Sequence, residues 1–166
     1  MLYLDGLEGA QLVLLDTREL SDPNRRRGVN RLGSHWTVLQ SIAEHLRFPS
    51  WWQTTMSRIS KLLSQRLQAE AAARRADAPP ARVPPPLAIV TFCKKGRHRS
   101  VATAVLISHI LSDLGWQVTT SRQMRPWWAF GACNECTACR VPPSLEILNY
   151  VRTMLRELPP RCIPWQ

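Results

Sequence analysis

The feature that most constrains this fold is the succession of a strand, a basic turn and an apolar helix. LAIVTF (87–92) has the length and composition of a buried strand, and residues 100–114 are apolar on most sides before Gly115 ends the pattern. WQVTTS (116–121) predicts a further strand. Strand, helix and strand in this order predict a right-handed parallel βαβ unit.

Other segments complete an α/β pattern. QLVLLDT (11–17) predicts a buried strand that delivers Asp16 and Arg18 at its carboxyl end. Helices are predicted over residues 35–47, from a cap at Ser50, and from a cap at Ser144 with Glu146 in the first turn. Their apolar stripes are Trp36, Val38, Leu39, Ile42 and Leu46; Trp52, Met56, Ile59, Leu63 and Leu67; and Leu145, Leu148, Val151, Leu155 and Leu158. We expect an α/β fold in which helices flank a parallel sheet of few strands.

The length of 166 residues predicts one domain over residues 1–166. Residues 77–86 are expected to form a proline-rich insert, and residues 125–166 a Cys-rich C-terminal extension. No apolar run approaches the length of a membrane span, and the residues after Met1 do not resemble a signal peptide. A cytoplasmic protein of unknown oligomeric state is therefore expected.

The charge favours an anionic partner. The chain has 22 Lys and Arg against 12 Asp and Glu, a net charge of +10. Nucleic acid, an acidic membrane surface and a phosphorylated small molecule are all compatible with this excess.

The positive charge is concentrated between the predicted strand 87–92 and the helix that follows. A strand-to-helix turn collects unpaired N–H groups and the positive end of the helix dipole, so it favours anions. Here it also carries Lys94, Lys95, Arg97, His98 and Arg99, together with Gly96 and Ser100. We call residues 93–100 the basic loop. Since ligands of open α/β sheets lie outside the carboxyl ends of the strands, Asp16 and Arg18 are expected nearby.

The basic loop also matches a second chemistry. Cys93, Arg99 and Ser100 form C-x5-R-S, which resembles the signature of cysteine-dependent phosphatases. There Cys93 would attack phosphorus as a thiolate and Arg99 would hold the phosphate oxygens, with Asp16 or Asp22 as a general acid. The ATP-binding pattern GxxxxGK[ST] is absent from the sequence.

A longer resemblance covers residues 12–121. FCKKGRHRSV (92–101) is similar to GCTGGKHRSV in the C-terminal domain of RapZ, a family of bacterial RNase-adapter proteins. LLDTRELSDP (14–23) resembles the family's D-x-R-x-L-x-N-P, and RLGSHWTVLQSI (31–42) resembles its glycine loop and helix. The helix after the basic loop and GWQV (115–118) are similar to the family's next helix and strand.

The resemblance implies a single RapZ C-terminal-like α/β domain that binds an amino-sugar phosphate or a similar anion, and in bacterial members also a small RNA. Position by position, the implied pocket residues are Asp16, Arg18, Gly96, His98, Arg99 and Ser100. Arg97 stands where the family has lysine, and Lys94 and Lys95 stand where it has threonine and glycine. The pocket is therefore expected to be more basic than in the family.

A third cluster lies in the C-terminal extension. Cys133, Cys136 and Cys139 are spaced so that all three sulfurs can reach one ion. Cys162 is the first candidate for the fourth ligand, and His35, His45 and His109 are the alternatives. Structural zinc is predicted; an iron–sulfur centre and free or disulfide-paired cysteines are the alternatives.

The sequence thus predicts a domain that binds a phosphate anion, carried by a sugar phosphate, a nucleotide or an RNA backbone, without turnover. A phosphatase using Cys93 and Arg99 is the first alternative. A basic module that docks on an acidic protein is the second.

Overall fold

The fold is α/β, as predicted. The computed structural model describes residues 7–21, 31–75, 84–94, 96, 98–120, 137 and 142–154. In these residues two strands and four helices follow in the order β1 (Gln11–Asp16), α1 (Trp36–Ala43), α2 (Phe48–Arg75), β2 (Leu87–Phe92), α3 (Arg99–Asp113) and α4 (Leu145–Thr153). None of the described helices has both the length and the hydrophobicity to span a membrane.

The two strands pair in parallel. Gln11 lies opposite Leu87 and Asp16 opposite Phe92, so both strands end at the same edge of the sheet. The segments after them therefore start side by side, which is the arrangement that favours a ligand site. β1 is buried on one face only, because Val13 and Leu15 enter the core while Leu12 and Leu14 remain 40% and 45% exposed.

Helix α2 covers the outer edge of β1. The N–H groups of Gln11 and Thr17 donate to the carbonyls of Pro86 and Phe92, on the side of β2. The N–H and C=O groups of the even-numbered residues of β1 therefore point away from β2. Trp51 Nε1 donates to the Asp16 carbonyl at 2.8 Å, and Arg58 Nη1 donates to the Leu14 carbonyl at 3.3 Å. These side chains satisfy part of an edge that would otherwise expose unpaired carbonyls.

The core lies between α2 and the other helices. The stripe predicted on α2 is confirmed, since Trp52, Met56, Ile59 and Leu63 are buried and Leu67 packs against them. Trp52 is fully buried, and its Nε1 donates to the Val151 carbonyl at 3.1 Å. The indole thus ties α2 to α4 while its ring fills the core.

Two helix ends match their sequence signals. Ser144 caps α4 by accepting a hydrogen bond from the Ile147 N–H at 3.3 Å. Gly115 follows α3 with φ of 82°, and its N–H donates to the Ser112 carbonyl while the Trp116 N–H donates to the Leu111 carbonyl. This is a Schellman motif, in which a left-handed glycine satisfies the last helix carbonyls.

Several boundaries were predicted wrongly. The first helix ends at Ala43 and not near residue 47. Helix α2 begins at Phe48, and Ser50 does not cap it but donates to the Arg47 carbonyl from inside the first turn. Proline is tolerated in a first helical turn, so Pro49 did not stop this helix. Trp36, Leu46 and Leu145 are exposed members of the predicted stripes, with Leu46 93% exposed in the turn between α1 and α2.

The predicted third strand is also wrong where the structure describes it. Residues 116–120 have no regular secondary structure, although Trp116 is buried and Val118 packs against the core. The Trp116 N–H is committed to the end of α3, which removes it from a ladder. The metal-ligand candidates Cys133, Cys136, Cys139 and Cys162 lie outside the described residues.

Candidate anion-binding site

The basic loop joins the end of β2 to the start of α3. Gly96 has φ of 65°, a left-handed conformation that favours glycine. His98 is the N-cap residue of α3 but makes no side-chain cap hydrogen bond, and the first turn contains no acidic residue. The first N–H groups of α3 and the positive end of its dipole are therefore not neutralised by a carboxylate of that turn.

The Cys93 thiol lies inside this loop. Its Sγ accepts a hydrogen bond from the Gly96 N–H at 3.1 Å and lies 3.3 Å from the Ser100 hydroxyl. Thr91 Oγ1 donates to the Ser100 carbonyl at 2.7 Å. These contacts close the loop onto the first turn of α3.

Arg99 connects the loop to the turn after β1. Its side chain is 9% exposed, and its Nη1 donates to the carbonyls of Arg18 and Leu20 at 2.9 and 2.7 Å. We call residues 17–20 the β1 turn. Arg99 therefore has a structural role that the sequence did not predict, because it holds the β1 turn against the start of α3.

Asp16 and Arg18 form an exposed ion pair at the mouth of this region. The Arg18 Nε donates to both carboxylate oxygens, at 2.9 and 2.8 Å, and its guanidinium lies 5.5 Å from the centre of the Phe92 ring. The hydrogen bond from Arg18 lowers the pKa of Asp16, although partial burial opposes it. Asp16 is therefore ionised at neutral pH and is poorly suited to act as a general acid.

The segment RLGSH (31–35), which we call the glycine segment, packs against the same helix end. A Cβ atom built on Gly33 would lie 2.2 Å from the His98 carbonyl oxygen and 2.6 Å from Val101 Cβ. Only glycine leaves room for this approach. The sequence predicts only that this glycine lies in a loop, because the motif RLGSH by itself contains no signal for so close a contact.

His35, the last residue of the glycine segment, is the N-cap of helix α1. His35 accepts a hydrogen bond from the Thr37 N–H at 3.2 Å through Nδ1. Burial, and to a lesser extent the charge on Arg31, lowers the pKa of His35. A neutral imidazole keeps the lone pair that this cap needs.

The predicted site residues lie in the basic loop, at the end of β1, or outside the described residues. His98, Arg99 and Ser100 are buried, Gly96 and Cys93 are half-buried, and Lys94 is exposed. Asp16 and Arg18 lie at the end of β1, next to the carbonyls that Arg99 binds. Lys95 and Arg97 lie outside the described residues. Within the described ranges no three Cys, His, Asp or Glu side chains gather to hold a metal.

A separate cleft of about 380 Å³ lies between β1 and α2. Its walls include Asp16, Glu19, Trp51 and Arg58. It shares only Asp16 with the predicted site residues, and none of the basic loop lines it.

A sequence model of the RapZ C-terminal domain matches residues 3–125. The chain belongs to the RapZ C-terminal domain family. The matched range contains β1, the glycine segment, the basic loop and α3, so every element of the candidate site lies within it. Comparisons with curated proteins and with solved structures gave no match. Membership confirms the resemblance seen in the sequence and is consistent with a phosphate- or nucleotide-binding domain.

Proposed function

We propose that this RapZ C-terminal domain binds the phosphate group of a small molecule at the basic loop, without turnover. The observation that carries the proposal is the start of α3, where a left-handed glycine turn leads into a first helical turn without an acidic residue, and where Arg99 and Ser100 are buried. Backbone N–H groups, a helix dipole and a guanidinium are the donors that phosphate oxygens prefer. An exposed lysine, Lys94, adds charge at the rim.

The proposal predicts that reversing one charge in the loop weakens anion binding while the same change elsewhere does not. Lys94→Glu is compared with Lys61→Glu on the exposed face of α2, which changes the net charge equally. Melting temperature is measured with inorganic phosphate, a hexose phosphate, AMP and a short RNA, at two salt concentrations. A ligand that binds only the folded state raises the melting temperature. We expect a small phosphate to stabilise the wild type and Lys61→Glu, and to stabilise Lys94→Glu less.

Other outcomes favour the alternatives. A shift with RNA only, abolished by salt in both variants, would indicate non-specific backbone binding. Absence of a shift with every anion would contradict the proposal and favour a basic surface that docks on an acidic protein.

One observation favours a phosphatase as the second candidate. The Gly96 N–H and the Ser100 hydroxyl both lie at hydrogen-bond distance from Cys93 Sγ, and such contacts stabilise a thiolate. In that reaction the thiolate attacks phosphorus, the ester P–O bond breaks, and the alcohol leaves with a proton. Water then hydrolyses the cysteinyl phosphate. One feature weighs against it: Asp16 is ionised, which makes it poorly suited to protonate the leaving group.

The Cys93→Ser variant separates the two functions. We expect it to retain phosphate binding, and we expect the wild type to release no more phosphate from p-nitrophenyl phosphate than the variant does. Wild-type hydrolysis that Cys93→Ser abolishes, with binding intact, would show that Cys93 is a nucleophile and replace the binding proposal with the enzymatic one.

We also propose that Cys133, Cys136, Cys139 and Cys162 bind a structural Zn²⁺. The support is their spacing in the sequence, which suits four sulfur ligands. About one zinc per chain is expected by elemental analysis of protein purified without added metal, and Cys136→Ser should lower it. Removal of the metal should lower the melting temperature, because structural zinc contributes folding free energy. Iron in place of zinc, or neither metal, would refute this assignment.

A further inference from the structure

Two buried side-chain atoms lack a hydrogen-bond partner among the described residues: Ser34 Oγ and Arg99 Nε. Ser34 is 4% exposed, so bulk water does not reach it freely. Buried polar groups are nearly always paired, because an unpaired one loses its hydration without compensation. Two such groups therefore point to a partner that the described residues do not supply.

Both atoms belong to the same junction. Gly33 approaches the His98 carbonyl more closely than any residue with a Cβ could, and Ser34 follows Gly33 just as Arg99 follows His98. Arg99 is also the first residue of α3. Ser34 and Arg99 therefore belong to two segments of the chain that meet at the N-terminus of α3.

The chemistry of the two groups restricts the partner. Arg Nε is only a donor, and its partner must be an acceptor; a serine hydroxyl can donate to the same kind of atom. Nη1 of the same guanidinium already donates to two carbonyls of the β1 turn, which limits how far the guanidinium can rotate to reach another acceptor. At the positive end of a helix, the acceptor that fits is an oxyanion.

We propose that Ser34 is a ligand-binding residue whose hydroxyl, together with Arg99 Nε, donates to the anion held by the basic loop. This inference rests on the proposed function and adds a second wall, the glycine segment, to the site. Donors that come from the loop, from α3 and from the glycine segment approach from different directions. Such a set suits a tetrahedral oxyanion, which presents acceptors in several directions, better than a planar carboxylate.

The test is isothermal titration calorimetry of the whole chain with inorganic phosphate. Ser34→Ala is compared with the wild type and with Ser112→Ala, which removes an exposed hydroxyl near the other end of α3. A hydrogen bond to a charged group corresponds to roughly a tenfold change in dissociation constant or more. We expect Ser34→Ala to weaken phosphate binding about tenfold and Ser112→Ala to leave it unchanged.

The unliganded melting temperature is the second readout. Since the Ser34 hydroxyl has no hydrogen-bond partner in the described part of the chain, its removal should leave the melting temperature unchanged or raise it. If Ser34→Ala melts several degrees lower, or binds phosphate as tightly as the wild type, the role given to Ser34 is wrong while the proposed function stands. If the wild type itself binds no phosphate, both the role given to Ser34 and the proposed function are wrong.

Discussion

Gly33→Ala is expected to lower the free energy of unfolding by about 3 kcal/mol, the upper end of the usual cost of overpacking. The added methyl group would meet the His98 carbonyl oxygen at 2.2 Å and the Ala102 nitrogen at 2.8 Å. Both are backbone atoms of the start of α3, so neither can turn aside as a flexible side chain would. The glycine segment would have to separate from the helix.

Thermal denaturation measures this effect against a matched control. For a chain of this size, 3 kcal/mol corresponds to a decrease of about 6–12 °C in melting temperature. Gly9→Ala is the control, because Gly9 has φ of 76° but no atom within 4 Å of its Cβ position. That variant carries only the backbone strain of about 1 kcal/mol. Equal melting temperatures for the two variants would show that the contact at Gly33 is looser than described.

Arg99→Ala is expected both to destabilise the protein, by about 2–4 kcal/mol, and to abolish phosphate binding. The substitution removes the donor from the Arg18 and Leu20 carbonyls and a cation from the anion site. The Leu20 side chain is fully buried, so its carbonyl is poorly placed to recover a bond from water. The β1 turn should detach from α3.

Urea denaturation and phosphate titration measure the two consequences separately. Arg152→Ala is the control, because Arg152 pairs with Asp113 on the surface and exposed ion pairs contribute about 1 kcal/mol or less. Arg99→Lys retains the charge but not the fork of donors, so we expect it to recover part of the binding and little of the stability. Full binding by Arg99→Ala would exclude the guanidinium from the site.

Local patterns explain what could be predicted before the structure. The stripe on α2, the cap at Ser144 and the stop at Gly115 each depend on residues within one or two helical turns, and all are confirmed. The boundaries failed where two local signals competed. Ser50 is a suitable N-cap residue, but helix α2 begins two residues earlier because its first turn accepts Pro49. WQVTTS has the composition of a strand, but the N–H of Trp116 completes the end of α3.

The candidate site also has a part that local sequence predicted and a part that it did not. The basic loop was predictable because its charge, its glycine and its position between a strand and a helix are consecutive in the chain. The position of ligands at the carboxyl ends of strands in open α/β sheets extended the prediction to Asp16 and Arg18, and the resemblance to the RapZ family implied the same two residues. Neither source indicated that Arg99 would bind the Arg18 carbonyl, 81 residues away along the chain, or that Ser34 would be buried without a partner.

Local sequence was enough to predict strands β1 and β2, the helices that flank them and the basic loop between β2 and α3, because periodicity, capping and turn chemistry act over a few residues. Which strands pair, and which groups meet at the start of α3, depends on tertiary packing. Gly33 must approach His98, and Arg99 must reach the β1 turn, through contacts between distant segments. Such contacts depend on how helices and sheet pack, which local sequence does not encode.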